Sequence, residues 1–213
     1  MLDNYSHLII GIKRQIYDGE SLVDFFSFCI KKKKRLILKL PTVLYAAILY
    51  KLNRLSIEKL YYLVSKLSKV ALNNKTNIYN FVNEFWVLNK HKLKKDFLDM
   101  INPEDIIITA SPDILIKDIA QELKTKNIIS SIFNTDTGKI EFLCFRENKV
   151  KFFKEKYPTA FIDEFYTDSY SDLPLMKIAK KTYLVKKNNP QNLLNLREQV
   201  TIALLFFLIY ANI

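Results

Sequence analysis

The sequence is poor in glycine, histidine and cysteine, and each scarcity excludes a class of site. Only three of the 213 residues are glycine, and neither GxxxxGK[ST] nor GxGxxG occurs, so a glycine-rich nucleotide loop is not expected. The two histidines are isolated, which argues against a histidine zinc site. Cys29 and Cys144 lack CxxC spacing, and we expect both to be small buried apolar residues rather than a disulfide framework or a metal site.

A secretory signal is also missing, because the first residues lack a basic start followed by a continuous apolar run. A reducing cytoplasm is therefore the expected compartment. At the other end, residues 200–213 are almost wholly apolar but fall short of the ~20 residues that a membrane span needs. A packed or interfacial helix, or a non-native read-through tail, is the favoured interpretation of this segment.

Acidic residues are the minority charge, with 22 against 33 basic residues and a formal net charge of +11. A basic balance can indicate a nucleic-acid or membrane-surface partner. The lysines are scattered apart from one run at 31–35, and no helix-turn-helix, zinc-finger or RNA-recognition signature occurs. We therefore favour a solvated basic surface and expect no nucleic-acid partner. A membrane surface is the less favoured alternative.

The hydrophobic pattern changes character twice along the chain. A short apolar run at 6–12 is typical of a buried strand, and helical spacing then continues from about residue 22 to residue 100. From residue 105 onward, short β-branched runs alternate with helical segments, which predicts a parallel sheet covered by helices. The expected architecture is an α/β doubly wound, Rossmann-like core at 1–20 and 101–188, an inserted all-helical cap at 21–100, and a tail of uncertain role at 189–213.

Polar side chains that could bind a metal ion or a phosphate follow three of the predicted strands. Asp168 and Asp172 come after the apolar run that begins at Phe161, and two carboxylates at a strand end can hold Mg²⁺. Helix capping is an equally good explanation of these aspartates from their spacing alone. Thr109 ends its own strand and could bind a phosphate through its hydroxyl, or it could simply pack there. Lys149 could neutralise phosphate charge, although in so lysine-rich a chain a surface role is the simpler one.

Taken together, the order of hydroxyl, lysine and paired aspartates resembles the haloacid dehalogenase superfamily, in its phosphoserine-phosphatase-like branch. The stretches that carry the resemblance are ITASPDIL, ENKVKFF and FYTDSYSDLPLM, within a match from about residue 16 to residue 187. The resemblance implies a helical cap, Mg²⁺ as cofactor and hydrolysis of small phosphomonoesters. It also implies that Thr109 and Lys149 bind the phosphate and that Asp168 and Asp172 lie on the magnesium side.

The first motif of that family, DxDxT, departs from the pattern. It is typically followed by an Ile-Tyr-Asp-Gly-like stretch, which is present here at 16–19. Counting back, the five motif positions read Gly-Ile-Lys-Arg-Gln at 11–15, so Gly11 and Lys13 replace the nucleophilic and the acid/base aspartates. Asp18 and Asp3 do not fall at either position. Natural divergence and a local reading-frame error over this stretch both explain the loss.

The expected function is therefore a phosphatase of this family, impaired or inactive because the first-motif aspartates are missing. Two alternatives stay open. One is a non-catalytic module that binds a phosphorylated ligand through Thr109, Lys149 and the basic pair Lys13 and Arg14. The other is a membrane-surface protein that uses the basic cap and the apolar tail. The sequence specifies neither the substrate nor the oligomeric state.

Overall fold

The described part of the protein forms one six-stranded sheet with helices around it. The structure is a computed structural model, and it describes residues 6–10, 15–60, 62–63, 75–137 and 139–185. The strand order is β4-β3-β2-β1-β5-β6. The strands are β1 (Ser6–Ile10), β2 (Ile106–Pro112), β3 (Ile128–Asn134), β4 (Lys139–Phe142), β5 (Phe161–Thr167) and β6 (Ala179–Leu184).

The central strands are parallel, and β2 is buried on both faces. β1 lies between β2 and β5, with Ile10 paired to Ile107 on one side and to Tyr166 on the other. Ile106, Ile107 and Ile108 of β2 are each at most 1% exposed, which is typical of a parallel strand with helices on both sides. The predicted fold class, a doubly wound α/β core, is confirmed.

One edge of the sheet is antiparallel. β3 pairs with β4 in the opposite direction, with Phe133 opposite Ile140 and Asn134 opposite Lys139. Only the few residues at 135–138 separate the two strands, and a connection that short cannot make the crossover that parallel pairing requires. The prediction of a parallel sheet therefore holds for the other five strands but not for β4.

Seven α-helices complete the described elements. Every regular element described between residues 21 and 100 is helical, as predicted, and includes a 3₁₀ helix at Lys34–Lys39. The α-helices are α1 (Ser21–Lys32), α2 (Leu40–Lys51), α3 (Lys75–Asn89), α4 (Lys95–Met100), α5 (Asp113–Lys117), α6 (Glu147–Lys156) and α7 (Leu173–Met176). The boundaries of a separate helical cap at 21 and 100 stay a prediction.

The helix after β2 is shorter than its sequence suggests. Apolar periodicity predicts a helix from Pro112 to Leu123, but Pro112 is the last residue of β2, with φ −62° and ψ 143°, and α5 ends at Lys117. Beyond it the backbone continues in tight turns, with the Ile119 N–H donating to the Ile116 carbonyl over 3.1 Å. The apolar side chains of this stretch are buried all the same, so the periodicity marks burial rather than helix length.

The chain passes between the sheet and the helical region through two adjacent segments. Tyr17 and Leu93 form an isolated antiparallel bridge, reinforced where the Lys94 N–H donates to the Ile16 carbonyl over 2.7 Å. The Tyr17 hydroxyl donates to Asp24 over 2.7 Å, and its fully buried ring meets the ring of Trp86 edge-on, 5.6 Å between centroids. The two segments are therefore tied to each other and to the helical region by packing.

Both cysteines are free and buried, at 4% exposure for Cys29 and 0% for Cys144, as predicted. Within the described ranges, no helix combines the length and apolar character that crossing a membrane demands. Gly11, Lys13 and the tail at 189–213 lie outside the described residues.

Candidate active site

The end of β5 carries a compact polar network. Thr167 is the last residue of the strand and is 1% exposed, and Asp172 ends the 3₁₀ turn that follows and is 5% exposed. The Thr167 hydroxyl donates to Asp172 Oδ2 over 2.9 Å and accepts from the Ser169 N–H over 3.1 Å. Ser169 caps the turn, since its Oγ accepts from the Ser171 N–H over 3.2 Å. The TDSYSD stretch is thus folded by its own side chains.

Lys149 reaches this network from α6. Its ammonium group lies 2.7 Å from Asp172 Oδ1, and both side chains are only 7% exposed. The sequence predicts Lys149 just after a strand, but it is the third residue of α6. It is buried, whereas most of the lysines that the structure describes are exposed to solvent. Lys149 and Asp172 form a buried ion pair in which each charge compensates the other.

The carboxylate of Asp168 faces the chain that follows β1. Gln15, 1% exposed, donates from Nε2 to Asp168 Oδ1 over 3.4 Å. Gln15 stands at the last of the five first-motif positions, so the structure brings that position to the end of β5. This agreement follows from the pairing of β1 with β5, whose carboxyl ends share one edge of the sheet.

Thr109 lies inside β2 and is 4% exposed. Its Oγ1 accepts a hydrogen bond from the Ser111 N–H over 3.1 Å. The Ser111 hydroxyl in turn lies 3.4 Å from that of Ser21, a buried residue at the start of α1. The Ser-Pro pair at 111–112 predicts a helix N-cap at Ser111, but this prediction is wrong because α5 begins at Asp113, after Pro112. Ser111 instead connects the end of β2 to the helical region.

Cys144 is the residue that brings these elements together, and the sequence drew no attention to it as part of a site. Burial raises the pKa of its thiol to about 12; the Lys149 ammonium opposes this shift, the Asp172 carboxylate adds to it, and a hydrogen bond with the Thr109 backbone opposes it. The Cys144 thiol is thus hydrogen-bonded to the Thr109 backbone and lies in the field of the Lys149 and Asp172 charges. Ser131 fixes it in place, accepting from the Cys144 N–H over 3.0 Å and donating to the Ala110 carbonyl over 2.8 Å.

The structure therefore brings the predicted residues together at one end of the sheet in two groups. Thr109 and the Lys149–Asp172 ion pair both influence the Cys144 thiol, and Asp168 meets Gln15. Their roles in binding phosphate or metal stay predictions. No group of three or more histidine, cysteine, aspartate or glutamate side chains suited to a metal ion occurs among the residues that the structure describes.

Two solved structures with a similar fold cover most of this chain. A protein of unknown function from Bordetella pertussis Tohama I superposes with a TM-score of 0.61 at 14% identity, over 85% of this chain and 90% of that one. A phosphoserine phosphohydrolase-like protein from Francisella tularensis subsp. tularensis SCHU S4 superposes with a TM-score of 0.56 at 17% identity, over 96% of this chain and 100% of that one. At these identities the likeness establishes the fold. No protein of curated function shows significant sequence similarity to this chain.

Sequence similarity to a protein family assigns the chain to that family. The family described as haloacid dehalogenase-like hydrolase matches residues 16–177, about three quarters of the chain, and the match begins just after the first-motif positions. It includes the end of β2, the start of α6 and the TDSYSD stretch, which carried the resemblance in the sequence. The chain belongs to the haloacid dehalogenase-like hydrolase family.

Proposed function

We propose that this protein binds the phosphate group of a small phosphorylated molecule at the carboxyl end of its sheet, and that its phosphatase activity is severely impaired. The observation that carries the proposal is the contrast between the complete network of Lys149, Thr167 and Asp172 and the first-motif positions. Those positions contain no carboxylate, and their last residue, Gln15, meets Asp168 as a neutral amide.

Two side chains would hold the phosphate. The bond from the Ser111 N–H occupies a lone pair of the Thr109 hydroxyl, so the hydroxyl hydrogen is the group that would meet a phosphate oxygen. Lys149 carries three N–H donors and uses one on Asp172, which leaves the ammonium able to donate to a second anion while it stays paired. A paired, buried ammonium is held rigidly, and such preorganised charge is what stabilises a transferring phosphoryl group.

Hydrolysis in this family begins with attack by an aspartate on phosphorus, and the chain has Gly11 where the attacking carboxylate is expected. Lys13 stands where the acid/base carboxylate is expected, and a lysine is protonated at neutral pH, so it cannot accept the proton that the second step releases. Loss of a nucleophile typically lowers the rate by several orders of magnitude.

The residues present do not fit the Mg²⁺ ion that this family generally uses. Both oxygens of Asp172 are engaged, one by Lys149 and one by Thr167. Asp168 adds a single carboxylate, whereas Mg²⁺ requires near-octahedral oxygen coordination. Phosphate binding through Thr109 and Lys149 involves no metal ion, and the family assignment makes Mg²⁺ the ion to test.

A binding function without turnover is the second candidate. With Gly11 and Lys13 at the two aspartate positions and Arg14 next to them, the first-motif stretch is basic and no longer acidic, which favours retention of a phosphorylated ligand over its release. For the compartment, we propose the cytoplasm, where the two buried thiols would stay reduced.

The first experiment measures release of inorganic phosphate from small phosphomonoesters with and without Mg²⁺. We expect none from the wild-type chain and measurable, Mg²⁺-dependent turnover from the variant Gly11→Asp/Lys13→Asp/Gln15→Thr. Gly11→Asp alone is the matched control and should do far less, because Lys13 would remain at the acid/base position. Efficient turnover by the wild-type chain would show that the motif register is wrong and would make Asp18 or Asp3 the nucleophile to test.

The second experiment separates impaired catalysis from ligand retention. Binding of inorganic phosphate to the wild-type chain, measured by calorimetry, should fall at least tenfold in Thr109→Val, which removes the hydroxyl and keeps the shape. A triple variant that folds, binds phosphate and stays inert would leave the binding module as the better account.

A further inference from the structure

Helix α2 is apolar around its whole circumference, yet the described part of the protein covers one of its sides and leaves another exposed. Its covered side consists of Val43, Ala46, Ala47 and Tyr50, each at most 7% exposed. On the other side Tyr45, Ile48 and the adjoining Leu52 are 64%, 44% and 59% exposed, and their spacing of three and four residues puts them on one face. A helix that is apolar all round is normally buried on all sides, so this face is adapted to a partner.

The 3₁₀ helix that leads into α2 adds to this apolar surface. Ile37 and Leu38 are 37% and 78% exposed, and this helix packs against both α1 and α2. Five large apolar side chains are therefore exposed within sixteen consecutive residues. Scattered single exposures are normal on any protein, but a concentration of this kind marks an interaction surface.

The same stretch of chain is strongly and exclusively basic. Residues 25–57 contain eight lysines and arginines and no aspartate or glutamate, which is a formal charge of +8. Five of the eight form the run at 31–35, where Lys31 and Lys34 are exposed to solvent. One member, Lys32, is paired with Glu84 over 2.6 Å and thus contributes less to the outward charge.

We propose that the surface formed by residues 31–52, the basic-apolar surface, binds the face of an anionic lipid membrane. An anionic bilayer supplies both things that this surface lacks, negative headgroups for the lysines and a hydrocarbon boundary for Leu38, Tyr45 and Ile48. A second copy of the chain would cover the apolar side chains but would bring the seven basic residues of 31–52 against seven of the same sign. A nucleic acid would meet the lysines and leave the apolar face of α2 exposed. This inference is independent of the proposed phosphate site.

The test is cosedimentation of the full chain with vesicles of phosphatidylcholine, alone or mixed with phosphatidylserine. We expect binding to the mixed vesicles only, and its loss at high salt because the lysine attraction is screened. Lys31→Gln/Lys34→Gln should weaken the partitioning about fivefold for each charge removed. Tyr45→Ser/Ile48→Ser/Leu52→Ser should weaken it at least as much, through the lost apolar contact.

Two matched variants control for general loss of charge and apolarity. Val87→Ser/Leu88→Ser removes two exposed apolar side chains, at 71% and 58% exposure, from α3, and Lys151→Gln/Lys154→Gln removes two exposed lysines from α6. Both should partition like the wild-type chain, and circular dichroism should show that all variants are folded.

Three outcomes would overturn the proposal. The first is no binding to phosphatidylserine vesicles. The second is binding that survives both surface variants, which would assign the membrane contact to the apolar segment at 200–213, present in every variant. The third is a dimer in analytical ultracentrifugation that the α2 substitutions dissociate while vesicle binding is absent, which would make a second copy the occupant.

Discussion

The ends of β5 and β1 lie side by side in the sheet, but one carries a buried ion pair and the other is followed by motif positions without a carboxylate. At the end of β5, Asp172 is buried, accepts from Thr167 and is ion-paired with Lys149. After β1, the sequence has no carboxylate at the motif positions, and Gln15 meets Asp168 through a neutral amide.

This difference explains why the nucleophile positions after β1 can be lost while the ion pair at the end of β5 persists. Removing either member of a buried ion pair leaves the other as an uncompensated charge, so Lys149 and Asp172 are maintained by stability whether or not the protein turns over a substrate. A nucleophilic carboxylate is a different case, because it is placed to react and contributes little to folding. Its replacement therefore costs catalysis and spares the fold.

The largest effect on stability should follow from breaking the Lys149–Asp172 ion pair at the end of β5. Lys149→Met should lower the free energy of unfolding by about 3–5 kcal/mol, because Asp172 would stay buried without its cation. Lys151→Met, on an exposed side chain of the same helix, should change it by less than about 0.5 kcal/mol. Urea denaturation measures both. The double variant Lys149→Met/Asp172→Leu should recover most of the loss, and a double variant as unstable as the single one would contradict the charge argument.

A smaller loss should follow from removing the hydroxyl that supports Asp172. Thr167→Val keeps the shape of the side chain and deprives a buried carboxylate oxygen of its donor, which costs roughly 1–3 kcal/mol of unfolding free energy. Thr182→Val, at an exposed position on the neighbouring strand β6, is the control and should be close to neutral. Equal losses in the two variants would mean that threonine contributes through strand packing and not through Asp172.

The sequence predicted this site well where its signals are local. The apolar run that begins at Phe161 predicts a strand there, and the β-branched run after residue 105 predicts a strand of a helix-covered parallel sheet; both agree with the structure. Periodicity misplaced the end of α5, because it reports burial and the turns after Lys117 bury the same side chains. The antiparallel edge could have been predicted from the short connection at 135–138.

The contacts of the site were harder to predict because they depend on the third dimension. Apart from the family motif, nothing in the sequence distinguishes Lys149 from the other lysines as a buried one, and its partner Asp172 is 23 residues away. Burial of Cys144 is predicted from the sequence, but its hydrogen bond with the Thr109 backbone depends on tertiary packing. The Gln15 contact could be anticipated only through the family motif, which assigned that position to the site.

Mg²⁺ binding is expected to be weak because the motif positions after β1 contain no carboxylate. Calorimetry of the wild-type chain should show Mg²⁺ affinity weaker than millimolar, a binding free energy of less than about 4 kcal/mol in magnitude. The Gly11→Asp/Lys13→Asp/Gln15→Thr variant should bind at least tenfold more tightly, about 1.4 kcal/mol, since it adds two carboxylates and removes a cation. Adding Asp168→Asn to that variant should abolish the gain. Micromolar affinity in the wild-type chain would refute the prediction.

The smallest predicted effect is the contribution of the Cys144 thiol to the pH dependence of stability. Burial raises the pKa of Cys144 from 9.0 to about 12 in the folded protein, so the folded state keeps its proton in a range where the unfolded state releases it. A raised folded pKa contributes stability that is present below the unfolded pKa and is lost as the pH rises above it. Between pH 8 and pH 9.5 the wild-type chain should therefore lose roughly 0.8 kcal/mol more unfolding free energy than Cys144→Ala.

Denaturation under reducing conditions at both pH values measures the difference, and Cys29→Ala should show a similar one because burial also raises the pKa of that thiol to about 12. Equal pH dependence in the wild-type and Cys144→Ala chains would mean that the thiol ionises without unfolding, and hence that the space between Thr109 and Lys149 is open to water.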